Sequence, residues 1–248
     1  MTIVFALVVI WLSAIPSAMA AEGITSTQAD EILAELRAIH QLLERQNAAT
    51  TTQAATAAQP PPYQQVVVHM PPGTASLGAA NAPLVMIEFT DYQCSFCRRF
   101  HETAFEELRK QYIATGKLRY VSRDYPLDFH DNAGRASLAG RCAAEQGKFW
   151  EMRNAMIEHN DHLLPEDLTQ YAVTLAINPE RLNQCIDSGR YNNLVALDES
   201  DAKSVGVSGT PSFILGRIKN GNLEGIRIVG VQPLSEFKSQ IERLSQEK

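Results

Sequence analysis

Apolar residues recur at different periods in different stretches of this chain. Ile3 to Ile15 is a nearly continuous apolar run of 13 residues without a charge. From Ala29 onward, Ile32, Leu36, Ile39 and Leu43 follow at steps of three and four, between Asp30, Glu31, Glu35, Arg37, Glu44 and Arg45. That is the stripe of an amphipathic helix with heptad character. It covers only about two and a half heptads, so it suits self-association and packing on the chain's own body equally. Asn47 to Gln65 is low-complexity Ala, Thr and Gln ending in Pro60-Pro61-Pro62. Such a composition offers little to bury and reads as a flexible linker.

Beyond the linker the periods mix. Gln65 to Met70 and Leu84 to Thr90 read as strands, the second apolar at nearly every position, as in a sheet covered on both faces. Phe100, Ala104, Leu108 and Tyr112 recur every four residues and predict a helix from Cys94 to about Thr115, stopped by Gly116. Leu118 to Asp124 is a third strand, so a βαβ unit surrounds the first cysteines. His130 to Ser204 carries helical pattern alone, punctuated by Gly147, Pro165, Asn178-Pro179 and Gly189. Ser212 to Gly216 and Gly225 to Gly230 are strands with Asn220-Gly221 between them, and Leu234 to Leu244 is a closing amphipathic helix. The expected architecture is an α/β domain over residues 66–248 with an all-helical insertion at about 130–204. A helix within residues 21–46 and a linker over 47–65 precede it.

Pro16 and then Ala18-Met19-Ala20 follow the first apolar run, which completes the pattern of a secretory signal peptide over residues 1–20, cleaved after Ala20. The run is shorter than the roughly 20 residues a membrane-spanning helix needs. No Lys or Arg precedes it, a departure from the usual signal. Export would put the cysteines in an oxidising compartment, periplasmic or extracellular, where disulfides persist. The 248 residues, 45% apolar and 20% charged, suffice for a sizeable core. Lys plus Arg total 22 against 28 for Asp plus Glu, a net charge of -6, so no basic surplus exists to neutralise a phosphate backbone and nucleic acid is not an expected partner.

The four cysteines carry the chemistry. Cys94-Ser95-Phe96-Cys97 follows the buried strand and opens the helix. Unpaired N–H groups and the positive end of the helix dipole favour an anion there, so the Cys94 thiol should ionise more readily than a free one. Cys97, three residues on, lies on the same side of the first turn and can close a small disulfide with it. The pair permits thiol–disulfide exchange, with Cys94 attacked or attacking and Cys97 resolving the mixed disulfide. A purely structural bond this local would add only roughly 2 kcal/mol. Structural zinc would need two more ligands, with His101 the only close candidate. No metal and no cofactor are expected. Arg98, Arg99 and His101 either add positive potential near Cys94 or are simply solvated.

The stretch Ile87-Glu88-Phe89-Thr90-Asp91-Tyr92-Gln93-Cys94-Ser95-Phe96-Cys97 resembles the active-site region of DsbA-like thiol:disulfide oxidoreductases of the thioredoxin superfamily. So do Arg123-Asp124-Tyr125-Pro126, Cys142-Ala143-Ala144-Glu145-Gln146-Gly147-Lys148-Phe149-Trp150 and Val207-Ser208-Gly209-Thr210-Pro211-Ser212-Phe213. The resemblance spans roughly Val66 to Leu244 and implies a thioredoxin fold with a helical insertion. It implies that Pro211 is a cis-proline beside the cysteine motif, with Thr210 before it. It also places Glu88 as a buried acid behind Cys97, where a raised pKa would let it take the Cys97 proton. Cys142 and Cys185 are implied to pair with each other as a structural disulfide, with two free buried thiols as the alternative. Ser95 and Phe96 depart from the Pro and His of strongly oxidising relatives, so the disulfide should be less oxidising than theirs.

Three functions follow as expectations. The first is an exported oxidoreductase that forms disulfides in reduced clients and is reoxidised by a membrane partner. The second is an isomerase or reductase acting on misfolded exported proteins, oligomerised through residues 29–46. The third is a non-catalytic client-binding protein on a thioredoxin fold.

Overall fold

Leu84–Thr90, the strand expected to be covered on both faces, is buried at every position and lies inside a six-stranded sheet. The computed structural model describes residues 26–56, 63–71 and 73–247, so the expected signal peptide lies outside the described residues. The strands are β1 (Gln65–His69), β2 (Ser76–Leu77), β3 (Leu84–Thr90), β4 (Leu118–Asp124), β5 (Ser212–Lys219) and β6 (Asn222–Val229), in the spatial order β1-β6-β5-β3-β4-β2. β3 runs parallel to β4 and antiparallel to β5. The parallel pair is joined by α2, a helix over residues 95–113 that includes two π-helical turns, His101–Phe105 and Arg109–Ile113. The period-2 alternation of β3 divides the core. Leu84 and Met86 pack with Phe100, Phe105, Leu108, Tyr120, Phe213 and Phe237. Val85, Ile87 and Phe89 pack on the opposite face with Val121, Ile214, Val205 and Val207. Glu88 therefore points to the face that α2 covers.

The insertion is helical throughout: α3 (Ala133–Ala144), α4 (Phe149–Glu158), α5 (Pro165–Thr174), α6 (Pro179–Asp187) and α7 (Asn192–Ser204), followed after the β5–β6 hairpin by α8 (Leu234–Gln246). It has its own apolar cluster, including Ala136, Met152, Met156, Leu168, Leu182 and Tyr92. A Cys142–Cys185 disulfide ties α3 to α6, with Cα atoms 5.8 Å apart. Closing a loop of 43 residues contributes about 4 kcal/mol by chain entropy. Replacing both cysteines with Ala should lower the urea-unfolding free energy by up to that amount while leaving the Cys94 titration in place.

Two boundaries differ from the expectation. The hairpin strands β5 and β6 run on to Asn220-Gly221, whose φ values of 51° and 79° supply the turn. Backbone pairing carries polar Arg217, Lys219 and Glu224 into the ladder regardless of their side chains. The N-terminal helix α1 spans Ser26–Thr56, through the first part of the stretch expected to be linker. Ala and Gln favour helix, and Pro60 is the first strong breaker in that stretch. On α1, Ile32, Leu33, Leu36, Ile39 and Leu42 are exposed. The chain divides into two units, Met1–Pro61 and Pro62–Lys248.

Candidate active site

Cys94 is the N-cap of α2, with φ -76° and ψ 118°. Its N–H donates to the Asp91 carbonyl at 3.1 Å, and its own carbonyl accepts from Arg98 N–H at 3.2 Å, the first helical bond. Both Cys94 and Cys97 are free thiols, 4% and 0% exposed. A hydrogen bond from Cys97 is the largest influence on the Cys94 thiol. Burial opposes it, and the Thr210 side chain and the N–H groups of Cys97 and Phe96 assist it, so the pKa falls to about 6. Cys97 moves the opposite way, pushed well above the ordinary thiol range by burial, by its bond to Cys94 and by the Glu88 charge. One thiol is thus prepared as a nucleophile and leaving group and the other is held protonated.

Thr210, 116 residues away in sequence, meets Cys94 through its carbonyl, which accepts from Sγ at 3.5 Å. The Thr210–Pro211 bond is cis. Two depressions lie at this turn, and Cys94 lines the first of them. Leu127, Phe129, His130 and Ser208 line one, Arg99, Thr103, Val231 and Pro233 the other, and Phe96 and Thr210 border both. Phe96 and Phe129 stand 58% and 75% exposed beside the thiol, an apolar surface for an unfolded chain.

Glu88 is fully buried, but its charge state is the reverse of the expectation. Burial alone would raise its pKa. The His101 and Arg153 charges and the hydrogen bonds from His101 and Tyr120 overcome that and draw it down to about 2. Its Oε2 accepts from Arg153 Nη2 at 2.9 Å and from the Tyr120 hydroxyl, with His101 Nε2 at 3.2 Å. A buried carboxyl next to a guanidinium stays ionised. Two of the three charges after Cys97 are engaged elsewhere, while Arg99 lines the second depression. Arg98 bonds Asn160 and pairs with Glu102, and His101 turns inward to Glu88.

Sequence reasoning missed the residues that the helical block and the loops supply. Arg153, on α4, reaches Glu88, the Tyr120 hydroxyl and the Ser122 hydroxyl. Asn160 accepts from Arg98 and donates to the Gln93 carbonyl, tethering the loop before Cys94. Buried Asp91 accepts from the N–H groups of Gln93 and Leu127 and holds His130 Nδ1 at 2.8 Å, joining the loops after β3 and β4. Asp91 and Arg123-Asp124 stand in the quoted motifs, which was the available signal. Asp198 on α7 joins Arg123 and Arg141, and Arg141 bonds Asp124, linking β4 to the block. Among the described residues, no group of three or more His, Cys, Asp and Glu could hold a metal.

The family model described as thioredoxin matches residues 71–226. The chain belongs to the thioredoxin family. Within that family its fold is the DsbA-like one. The crystal structure of α-DsbA1 of Wolbachia pipientis superposes with a TM-score of 0.63 at 25% identity, covering 71% of this chain and 92% of that one. BdbD of Bacillus subtilis gives 0.62 at 22% identity, covering 71% and 95%. Among curated proteins, a Rickettsia conorii protein named as a protein-disulfide oxidoreductase is 29% identical over 152 residues, 59% of this chain and 54% of its own length. A Salinispora tropica protein named as the Na(+)/H(+) antiporter NhaA 3 is 34% identical over 163 residues, 65% of this chain. The chain spans only 24% of that protein's length. Among the described residues of this thioredoxin-family chain, no helix is long and apolar enough to cross a membrane.

Thiolate absorbance of the reduced protein should titrate with a midpoint of about 6, and this signal should vanish in Cys94→Ser. The shift is also a stability statement. A folded pKa of about 6 against an ordinary 9.0 means that the thiolate stabilises the reduced fold fully above pH 9 and loses that contribution as pH falls through 6. The same stabilised thiolate favours the reduced form of the couple at pH 7. Chemical unfolding of reduced protein and Cys94→Ser across pH 5 to 9 would read it.

Proposed function

We propose that the chain is a protein thiol:disulfide oxidoreductase that forms disulfides in reduced, exported proteins. The observation that carries the reading is the single sulfur of Cys94, with its pKa lowered to about 6 beside the Thr210–Pro211 turn and an exposed apolar surface. In the oxidised enzyme a client thiolate attacks Cys94 Sγ. The Cys94–Cys97 bond breaks, and Cys97 leaves with the electron pair and takes a proton. A second client thiol then attacks the mixed disulfide, the client leaves with a new disulfide, and Cys94 departs as the stabilised thiolate. Stabilising that leaving group favours the reduced enzyme, which is the property of an oxidant. Pro211 has no N–H, and the backbone beside it offers an extended client segment a place to pair next to Cys94. A membrane redox partner then restores the disulfide, and a periplasmic or secreted location fits both steps.

Equilibration with glutathione buffers tests the direction. An oxidase should remain reduced at glutathione ratios where an ordinary structural disulfide is formed. A couple as reducing as a structural disulfide would overturn the oxidase reading and leave the reductase. The exposed apolar residues Ile32, Leu33, Leu36, Ile39 and Leu42 on α1 favour a second reading, an isomerase assembled into a homo-oligomer through residues 29–46. Leu36 at a and Ile39 at d of the heptad suit an assembly larger than a dimer. Sedimentation of the full chain against a variant with Leu36 and Ile39 changed to Ser would show one mass for both if this reading is wrong.

A further inference from the structure

Proton transfer behind Cys97 has no resting place at Glu88, whose carboxylate is held ionised by its partners. The remaining group in that cluster whose free side chain titrates near neutrality is His101. His101 follows Cys97 by one helical turn, its N–H donating to the Cys97 carbonyl, so both side chains share a face of α2. The ring sits against Phe105 and Phe100, with centroids 4.4 Å and 5.2 Å away.

The contacts of His101 Nε2 are chemically opposed. The atom lies 3.0 Å from Arg153 Nη2 and 3.2 Å from Glu88 Oε2. A guanidinium only donates, so the first contact requires a bare lone pair on Nε2. A carboxylate only accepts, so the second requires Nε2–H. One nitrogen cannot satisfy both, and gaining a proton moves its hydrogen bond from Arg153 to Glu88 without displacing the ring. The other oxygen of Glu88, Oε1, is buried and without a hydrogen-bond partner among the described residues. Facing His101 are Glu88 from β3, Arg153 from α4 and Glu106 from its own helix, and the Tyr120 hydroxyl of β4 bonds both Glu88 and Arg153. Burial and Arg153 lower the imidazole pKa while Glu88 and Glu106 oppose them, so whether the ring holds a proton follows the charges around it.

We propose that His101 is the proton store for Cys97, acting through Glu88 as a positioning residue of the exchange reaction. The inference rests on the oxidoreductase reading above. When a mixed disulfide on Cys94 is resolved, the Cys97 S–H bond breaks and its electron pair forms the bond to Cys94 Sγ. The bound partner's sulfur leaves with the pair of the broken S–S bond. The proton passes by way of Glu88 to His101 Nε2. In the opposite direction His101 returns it when Cys97 leaves as a thiolate. In resolution the ring gains a positive charge while the negative charge leaves on the departing partner's sulfur, and in the opposite direction the ring gives up that charge as the Cys97 thiolate is protonated.

The test reacts reduced full-length protein with oxidised glutathione and follows, by acid quench and mass, formation of the mixed disulfide and then its resolution, from pH 5 to 9. Histidine NMR on the wild-type dithiol protein locates the His101 midpoint, and the resolution rate should show an inflection at that midpoint. In His101→Gln the ratio of resolution to formation should fall at least ten-fold at pH 7, and the inflection should disappear. A wild-type resolution rate that is smooth across the His101 midpoint overturns the proposal, whatever the variant's fold. So does His101→Gln with an unchanged ratio. Absence of any mixed disulfide in the wild type would instead overturn the oxidoreductase reading.

Discussion

Replacement of Cys94 with Ala should reduce exchange with a disulfide substrate at pH 7 by at least about 100-fold, whereas Cys97→Ala should halt the reaction half-way. The asymmetry follows from the two thiols. With a pKa of about 6, Cys94 is mostly thiolate at neutral pH. Cys97, pushed well above 9.0, is thiolate for no more than about one molecule in a hundred. It is also fully buried, and an incoming disulfide cannot reach it. Cys97→Ala keeps the reactive sulfur and removes the group that expels the partner, so stable adducts on Cys94 should accumulate with disulfide-bonded exported clients. Mass spectrometry of non-reduced complexes reads the result. If Cys97→Ala gave no adducts, or Cys94→Ala still exchanged, the non-catalytic client-binding reading would replace the enzyme.

The second large effect is on stability. Arg153→Met should lower the unfolding free energy by about 3–5 kcal/mol, because it leaves Glu88 as a buried carboxylate without its guanidinium. Both residues of the pair are 0% exposed, and their atoms lie 2.9 Å apart, so solvent cannot substitute for the lost partner. The pH dependence gives the cause. Glu88 at about 2 in the native state, against an ordinary 4.5, contributes stability that is complete above pH 4.5 and lost as pH falls toward 2. The gap between wild type and Arg153→Met should therefore close across that window. Adding Glu88→Gln to Arg153→Met should recover part of the loss at pH 7, as measured by urea unfolding. A constant gap from pH 7 to 2 would assign the loss to packing instead.

Most of the sheet was legible because its strands are distinguished by local pattern. Leu84–Thr90 and Leu118–Asp124 appear with the boundaries that their apolar runs predict. The helical insertion was legible for the same reason, since His130 to Ser204 never alternates with period two. The length of α1 was not, because Ala, Thr and Gln without apolar periodicity are compatible with both helix and coil. In the site, the Cys94–Cys97 spacing and the start of the helix were visible along the chain. The acid behind Cys97 was visible too, but not its ionisation. Arg153 is 65 residues from Glu88, and no local rule at either position encodes their meeting. For His101 the sequence leaves open positive potential near Cys94 and a solvated charge, since a helix shows its inward face only when its neighbours are known.

By itself, then, the amino-acid order determined the α/β pattern, the cysteine pair at a helix start and the helical block between two halves of the sheet. Each depends on periods and spacings within one element. Only the tertiary structure decided which of the buried groups carry charge, through Arg153, His101, Tyr120 and Thr210 arriving from separate elements. The physical reason is that ionisation inside a protein is set by partners a few ångströms away, and chain order does not measure that distance.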